Sequence, residues 1–180
     1  HRYDDHGFER LAICINTDSQ RVNDASIAPN PRSKMTTYYA KGGLNTSLTT
    51  EDLRDALLET FEQVGRPERA LLLPPDATRL FSRAGELTVL THELLGDRVK
   101  DIMPALGTHS PMKPEQLDHM FPGIPHELFR PHFWREDVVT LGTVSESYVR
   151  EVTGGVYGKP WKAQVNRLLR DGGHDLIFSL

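Results

Sequence analysis

The chain has 180 residues, a net charge of −4, one cysteine and eight histidines. That length supports one domain, with or without an extended arm, able to bury roughly two-thirds of its unfolded surface. The charge offers no electrostatic footprint for nucleic acid, and no stretch approaches the roughly 18 apolar residues of a membrane span. A lone Cys14 forms no internal disulfide and the start HRYDDHGFER has no apolar signal region, so the expectation is a cytoplasmic protein.

Residues 1–37 are polar and irregular and are expected to form an N-terminal arm. Within it, Leu11–Ile15 suits a strand, and Ile27–Lys34 (IAPNPRSK) reads as a loop because its prolines oppose both helix and central strand. Next, TTEDLRDALLETFEQVG predicts an amphipathic helix. Thr49 or Thr50 caps it, Glu51 and Asp52 favour its first turn, and Leu53, Ala56, Leu57, Phe61 and Val64 share one face. Gly65 ends it and Pro67 forbids continuation.

Ala70–Leu73 is short and apolar without alternation, the pattern of a strand buried on both faces of a parallel sheet. Leu80–Leu95 predicts a second helix, with Phe81, Ala84, Leu87, Leu90, Leu94 and Leu95 inward and Gly96 as its stop. Val99–Leu106 reads as the next strand, Pro104 marking an edge or bulge near its end, and Pro114 opens a short helix. Strands are expected at His126–Phe133 and Val138–Val144, local pairing at Ser147–Thr153, a helix over Lys162–Arg170, and a last buried strand at Leu176–Leu180. Helices alternating with short apolar strands imply an α/β fold of Rossmann-like kind, a mostly parallel sheet flanked by helices over residues 38–180.

The common catalytic signatures are missing. The glycines of GGVYGK fit neither G-x-G-x-x-G nor a phosphate-binding loop, and no G-x-S-x-G occurs. His92-Glu93 and His126-Glu127 each begin like H-E-x-x-H, but Gly96 and Arg130 stand where the second histidine belongs. His1, His6 and His119 read as surface residues.

Two clusters remain at expected carboxyl ends of strands, where open α/β sheets bind ligands. In Pro75-Asp76-Ala77-Thr78-Arg79, Asp76 either caps the following helix with Arg79 in a surface ion pair, or the pair forms a clamp. In the clamp, Arg79 holds a carboxylate in bidentate geometry and Asp76 orients it or a substrate hydroxyl. The two prolines stiffen the exit from the strand. In Leu106-Gly107-Thr108-His109, the glycine permits a sharp turn and His109 emerges just beyond it, either as a solvated residue or as a general acid–base group. Sequential parallel strands are usually neighbours, so the two loops are expected to share a crevice. His132 and Trp134 in HFWRED are further rim candidates. The plainer expectation makes Trp134 a core residue, His132 satisfied or exposed, and Arg135 and Asp137 surface charges.

PPDATR followed by ALGTHSPM, HFWRED and LGTV resembles the nickel-dependent lactate racemase family, from about Tyr38 to Leu180. YYAKGGL stands where that family has its opening strand, and DLIFSL where it has the strand before its cofactor site. The resemblance implies a 2-hydroxy-acid racemase or epimerase. In that family a pyridinium-derived nickel pincer removes and returns a hydride at the α-carbon while histidines exchange the hydroxyl proton. Carried over by position, Arg79 and Asp76 bind the substrate and His109 is one acid–base histidine. The second histidine, the anchoring lysine and a nickel-ligating histidine are expected beyond Leu180, in a segment continuous with a further C-terminal domain, so this stretch alone is not expected to racemise. The expected partner is a small 2-hydroxy carboxylic acid, with neither nucleic acid nor membrane. Two other readings stand beside the enzyme: a carboxylate-binding module without catalysis, and a structural domain in which Asp76 and Arg79 are only cap and ion pair.

Overall fold

The computed structural model describes residues 10–15 and 36–180. The loop expected at Ile27–Lys34 and the histidines His1 and His6 lie outside the described residues. Strand β1 (Arg10–Ile15) pairs antiparallel with β2 (Thr36–Gly42), so this part of the expected arm is one half of a two-stranded sheet.

Helix α1 (Thr50–Val64) starts where the sequence signals place it. The Thr49 hydroxyl accepts from the Asp52 backbone N–H at 3.1 Å, and the Asp52 carboxylate accepts from the Thr49 backbone N–H at 2.9 Å, a reciprocal cap. Lys41 of β2 reaches the same carboxylate at 2.5 Å, which ties the strand to the helix start. The Lys41 hydrogen bond, then those from Thr49, hold the Asp52 carboxyl down at about 2. The unfolded-state value is near 3.9, so the stabilisation is fully present above about pH 4 and is lost as pH falls towards 2. Asp52→Asn is therefore expected to flatten the fall in melting temperature between pH 5 and pH 2, measured by circular dichroism.

The central sheet has the order β4-β3-β7, all parallel, built from β3 (Ala70–Leu73), β4 (Val99–Ile102) and β7 (Leu176–Ser179). Ala70, Leu72, Val99, Ile102, Leu176 and Phe178 face one way, into a core with Leu53, Leu57 and Phe61 of α1. Helix α2 (Ala84–Leu95) adds Leu90 and Leu95, and α3 (Pro114–Met120) adds Met120, followed by Phe121. The sheet is thus flanked by helices in a Rossmann-like arrangement. Gly85 of α2 lies against α3, where a Cβ would meet the Met120 carbonyl oxygen at 2.4 Å. Gly85→Ala is expected to cost about 1–3 kcal/mol of overpacking, more than the roughly 1 kcal/mol that alanine returns in helix propensity. An unchanged or raised melting temperature would show that α3 gives way instead.

The opposite face carries Leu71, Asp101 and Ile177, neighbours across the three strands. Buried Asp101 accepts from His174 at 2.7 Å and pairs with Arg130 at 2.7 Å. One carboxylate therefore joins β4, the chain after α3 and the approach to β7. Asp175, beside His174, accepts the backbone N–H groups of Glu68 and Arg69 at 2.7 and 2.9 Å, fixing β7 beside β3.

Five expected elements differ. Leu80–Leu95 is not one helix: a 3-10 segment (Ala77–Ser82) precedes α2, and Arg83 between them sits at φ 64°. Asp76 caps the chain too early for a continuous helix, and Phe81, expected inward, is 97% exposed. His126–Phe133 is not a strand. Pro125 starts a 3-10 turn (His126–Leu128) and Pro131 follows, leaving one parallel bridge from Phe129 to Ile102. Ser147–Thr153 lies largely in helix α4 (Glu146–Val152), because the Ser145 side chain caps the Tyr148 N–H at 3.3 Å. Lys162–Arg170 is mostly strand: β5 (Val138–Val144) pairs antiparallel with β6 (Trp161–Asn166), and only then does α5 (Arg167–Asp171) begin, capped by Asn166. The sequence WKAQV alternates at period two, and a hairpin partner decided in favour of strand. The strand expected over Val99–Leu106 is regular only to Ile102, although Met103 and Ala105 still donate to the Leu72 and Pro74 carbonyls at 2.9 and 2.7 Å. Among the described residues, no helix is long and apolar enough to cross a membrane.

Candidate functional site

Strand β3 exits through Pro74 and Pro75. Pro74 is fully buried, and its carbonyl accepts from Ala105 beyond the end of β4. The two neighbouring strand exits are thereby held side by side. Asp76 follows with a nearly buried carboxylate, both of whose oxygens are engaged. Oδ1 accepts the Thr78 backbone N–H at 3.0 Å and the Thr78 hydroxyl at 2.5 Å. Oδ2 lies 2.6 Å from His109 Nδ1. Burial pushes the Asp76 carboxyl up, but the hydrogen bonds from Thr78 and His109 outweigh it, and its pKa lies below the ordinary value. A charged Asp76 requires a proton on His109 Nδ1, which leaves the Nε2 lone pair free to take a proton from a ligand in the neutral ring. The His109 side chain is 57% exposed, so that lone pair is accessible. Gly107, at φ 58°, makes the turn that brings His109 back over the β3 exit.

Arg79 sits three residues beyond Asp76, its N–H donating to the Asp76 carbonyl at 3.0 Å and its backbone bent out of helical geometry at φ −111°, ψ 28°. Its side chain is exposed, and its guanidinium has no partner among the described residues. Asp76 and His109 are thus brought together, whereas Asp76 and Arg79 make no side-chain contact. The cap expected of Asp76 is present. The surface ion pair expected of Arg79 is not.

A cavity of about 440 Å³ opens beside this rim. Leu73 of β3 and Met103, Pro104 and Gly107 after β4 form one wall, and Val138, Val165 and Leu169 form the other. Its polar groups are Gln164, Asn166 and His132. Asn166 donates from Nδ2 to His132 Nδ1 at 2.9 Å. Its Oδ1 is committed to the Leu168 N–H at 2.8 Å as the cap of α5. Sequence reading weighed His132 as a rim candidate but missed Gln164 and Asn166. The signal available was an Asn immediately before RLLRD, a cap pattern obscured by the expectation of a longer helix. Trp134, expected in the core, is 37% exposed, with the Arg135 guanidinium stacked 3.6 Å over its ring. The Asp137 carboxylate accepts the Phe133 N–H at 3.1 Å.

Among the described residues, no three His, Cys, Asp or Glu side chains converge where they could hold a metal ion. These residues do not by themselves fit a nickel-bearing group.

No family model matches the chain, and no curated protein matches it. A crystal structure of a Thermotoga maritima protein is similar over 73% of the chain, at 29% identity and a TM-score of 0.62. The chain spans 33% of that protein's length.

Proposed function

We propose that this chain supplies the substrate-binding rim of a racemase or epimerase of 2-hydroxy acids. The observation that carries this reading is the 2.6 Å Asp76–His109 pair on adjacent parallel strands, beside an exposed Arg79. Arg79 takes the substrate carboxylate in bidentate fashion. Asp76 holds the His109 ring with its proton on Nδ1, so Nε2 accepts the hydroxyl proton as the alcohol is oxidised and returns it afterwards. Hydride transfer is the part assigned by resemblance to a nickel pincer, and the described residues offer no cluster to hold its metal. We place the protein in the cytoplasm, on its single cysteine.

Isothermal titration with lactate and propionate, which differ by the hydroxyl alone, tests the rim. Lactate is expected to bind about 3- to 10-fold more tightly, the worth of one good hydrogen bond, and His109→Ala to remove that difference while leaving propionate affinity in place. Equal affinities in the parent protein would favour the second reading, a carboxylate-binding module without hydroxyl chemistry.

A further inference from the structure

The Asn166 amide has one possible orientation. Its oxygen caps α5 at Leu168, so its NH₂ must point at His132 Nδ1. An NH₂ only donates, so His132 Nδ1 accepts, and the neutral ring carries its proton on Nε2. That Nε2–H has no protein partner among the described residues, and the ring lines the cavity. His132 is therefore the opposite of His109: one ring presents a donor, the other an acceptor.

The remainder of the cavity wall fixes the kind of group that fits. Among the described residues, no charged side chain lines it, and Leu73, Met103, Val138, Val165 and Leu169 dominate it. A polyhydroxylated chain would lose water there without enough partners to replace it. A ring or branched alkyl group loses nothing comparable. Gly107 is part of the wall and His109 follows two residues later, so the cavity adjoins the Asp76–His109 rim along one loop.

We infer that this cavity receives a bulky, uncharged and largely apolar side chain of the ligand, with His132 donating its Nε2–H to an acceptor oxygen carried on it. Resting on the rim reading above, this assigns the substrate class as 2-hydroxy acids whose aryl or branched-alkyl side chain carries an acceptor oxygen, in preference to lactate or sugar acids.

Two titrations of the 180-residue chain test it. By calorimetry, 3-phenyllactate is expected to bind at least about 10-fold more tightly than lactate, the lower end for burying a side chain of that size, and gluconate no more tightly than lactate. By NMR, acetophenone, a neutral probe with an acceptor and no carboxylate, is expected to shift Leu73, Val165 and Leu169. Asn166→Asp keeps a competent helix cap but replaces the amide donor with an acceptor. It draws the His132 proton to Nδ1, which ¹⁵N shifts of the ring report directly, and is expected to weaken acetophenone about 10-fold. Equal affinity for phenyllactate and lactate, or acetophenone shifts elsewhere, would overturn the cavity assignment. Acetophenone binding indifferent to the swapped ring proton would overturn the role of His132. If acetophenone binds as expected while no hydroxy acid binds, the cavity stands and the rim reading fails.

Discussion

Arg79→Ala is expected to remove about 30- to 1,000-fold of the affinity for small carboxylates while leaving the melting temperature within a degree or two. The binding loss follows from withdrawing a paired cation, which costs about 2–4 kcal/mol when the partner charge is left without it. The unchanged stability follows from the structure: the side chain is exposed, and its guanidinium holds nothing in place among the described residues. The turn survives because it is made by main chain and by Asp76, through the Arg79 N–H, the Thr78 N–H and the Thr78 hydroxyl. Calorimetry and thermal unfolding on the same preparation read both halves. A variant that melts several degrees lower would return Arg79 to a structural role.

Asp101→Ala is expected to do the reverse, leaving the rim residues untouched and costing about 1–3 kcal/mol of stability, the penalty for leaving a buried hydrogen-bond donor without its acceptor. Asp101 bonds the His174 ring, whose side chain is 1% exposed and whose other nitrogen, Nδ1, is buried with no partner among the described residues. Without the carboxylate, neither ring nitrogen is bonded, and Arg130 loses its anchor as well. A fall of roughly 6 °C in melting temperature is the corresponding shift for a chain of this size. Asp101→Asn retains one acceptor oxygen for two donors and should fall between parent and alanine. A loss below about 1 kcal/mol for the alanine variant would mean that water reaches the gap.

Where the sequence signals were redundant, they were sufficient. In α1, cap, dipole, periodicity and glycine stop agree, and its bounds came out within a residue of expectation. The proximity of Asp76 and His109 was also accessible, because consecutive parallel strands tend to lie side by side and their exits then converge. Legibility failed where one pattern served two structures. Trp161–Asn166 offers residues to either period, and pairing with β5 decided it. It failed differently at His174 and Asp101, which meet across 73 positions with no local sign in GGHD or VKDI. Asn166 shows both failures: a cap only once the strand is known, and a partner of His132 only once the hairpin is folded.

The seating of β7 beside β3 fixes an order of assembly. Val99 finds Ala70 across the short loop that contains α2, whereas Asp175 must find the Glu68 N–H from 107 positions away. Closing the longer loop costs about 1 kcal/mol more in chain entropy, and such distant pairings slow folding. Elements from α1 to β4 can therefore condense while β7 is still unplaced. Hydrogen exchange on the folded protein should show it, with the amide of Phe178, which faces β3, opening more readily than that of Leu72, which faces β4. Of the three strands, the one drawn from farthest along the chain is then also the first to leave.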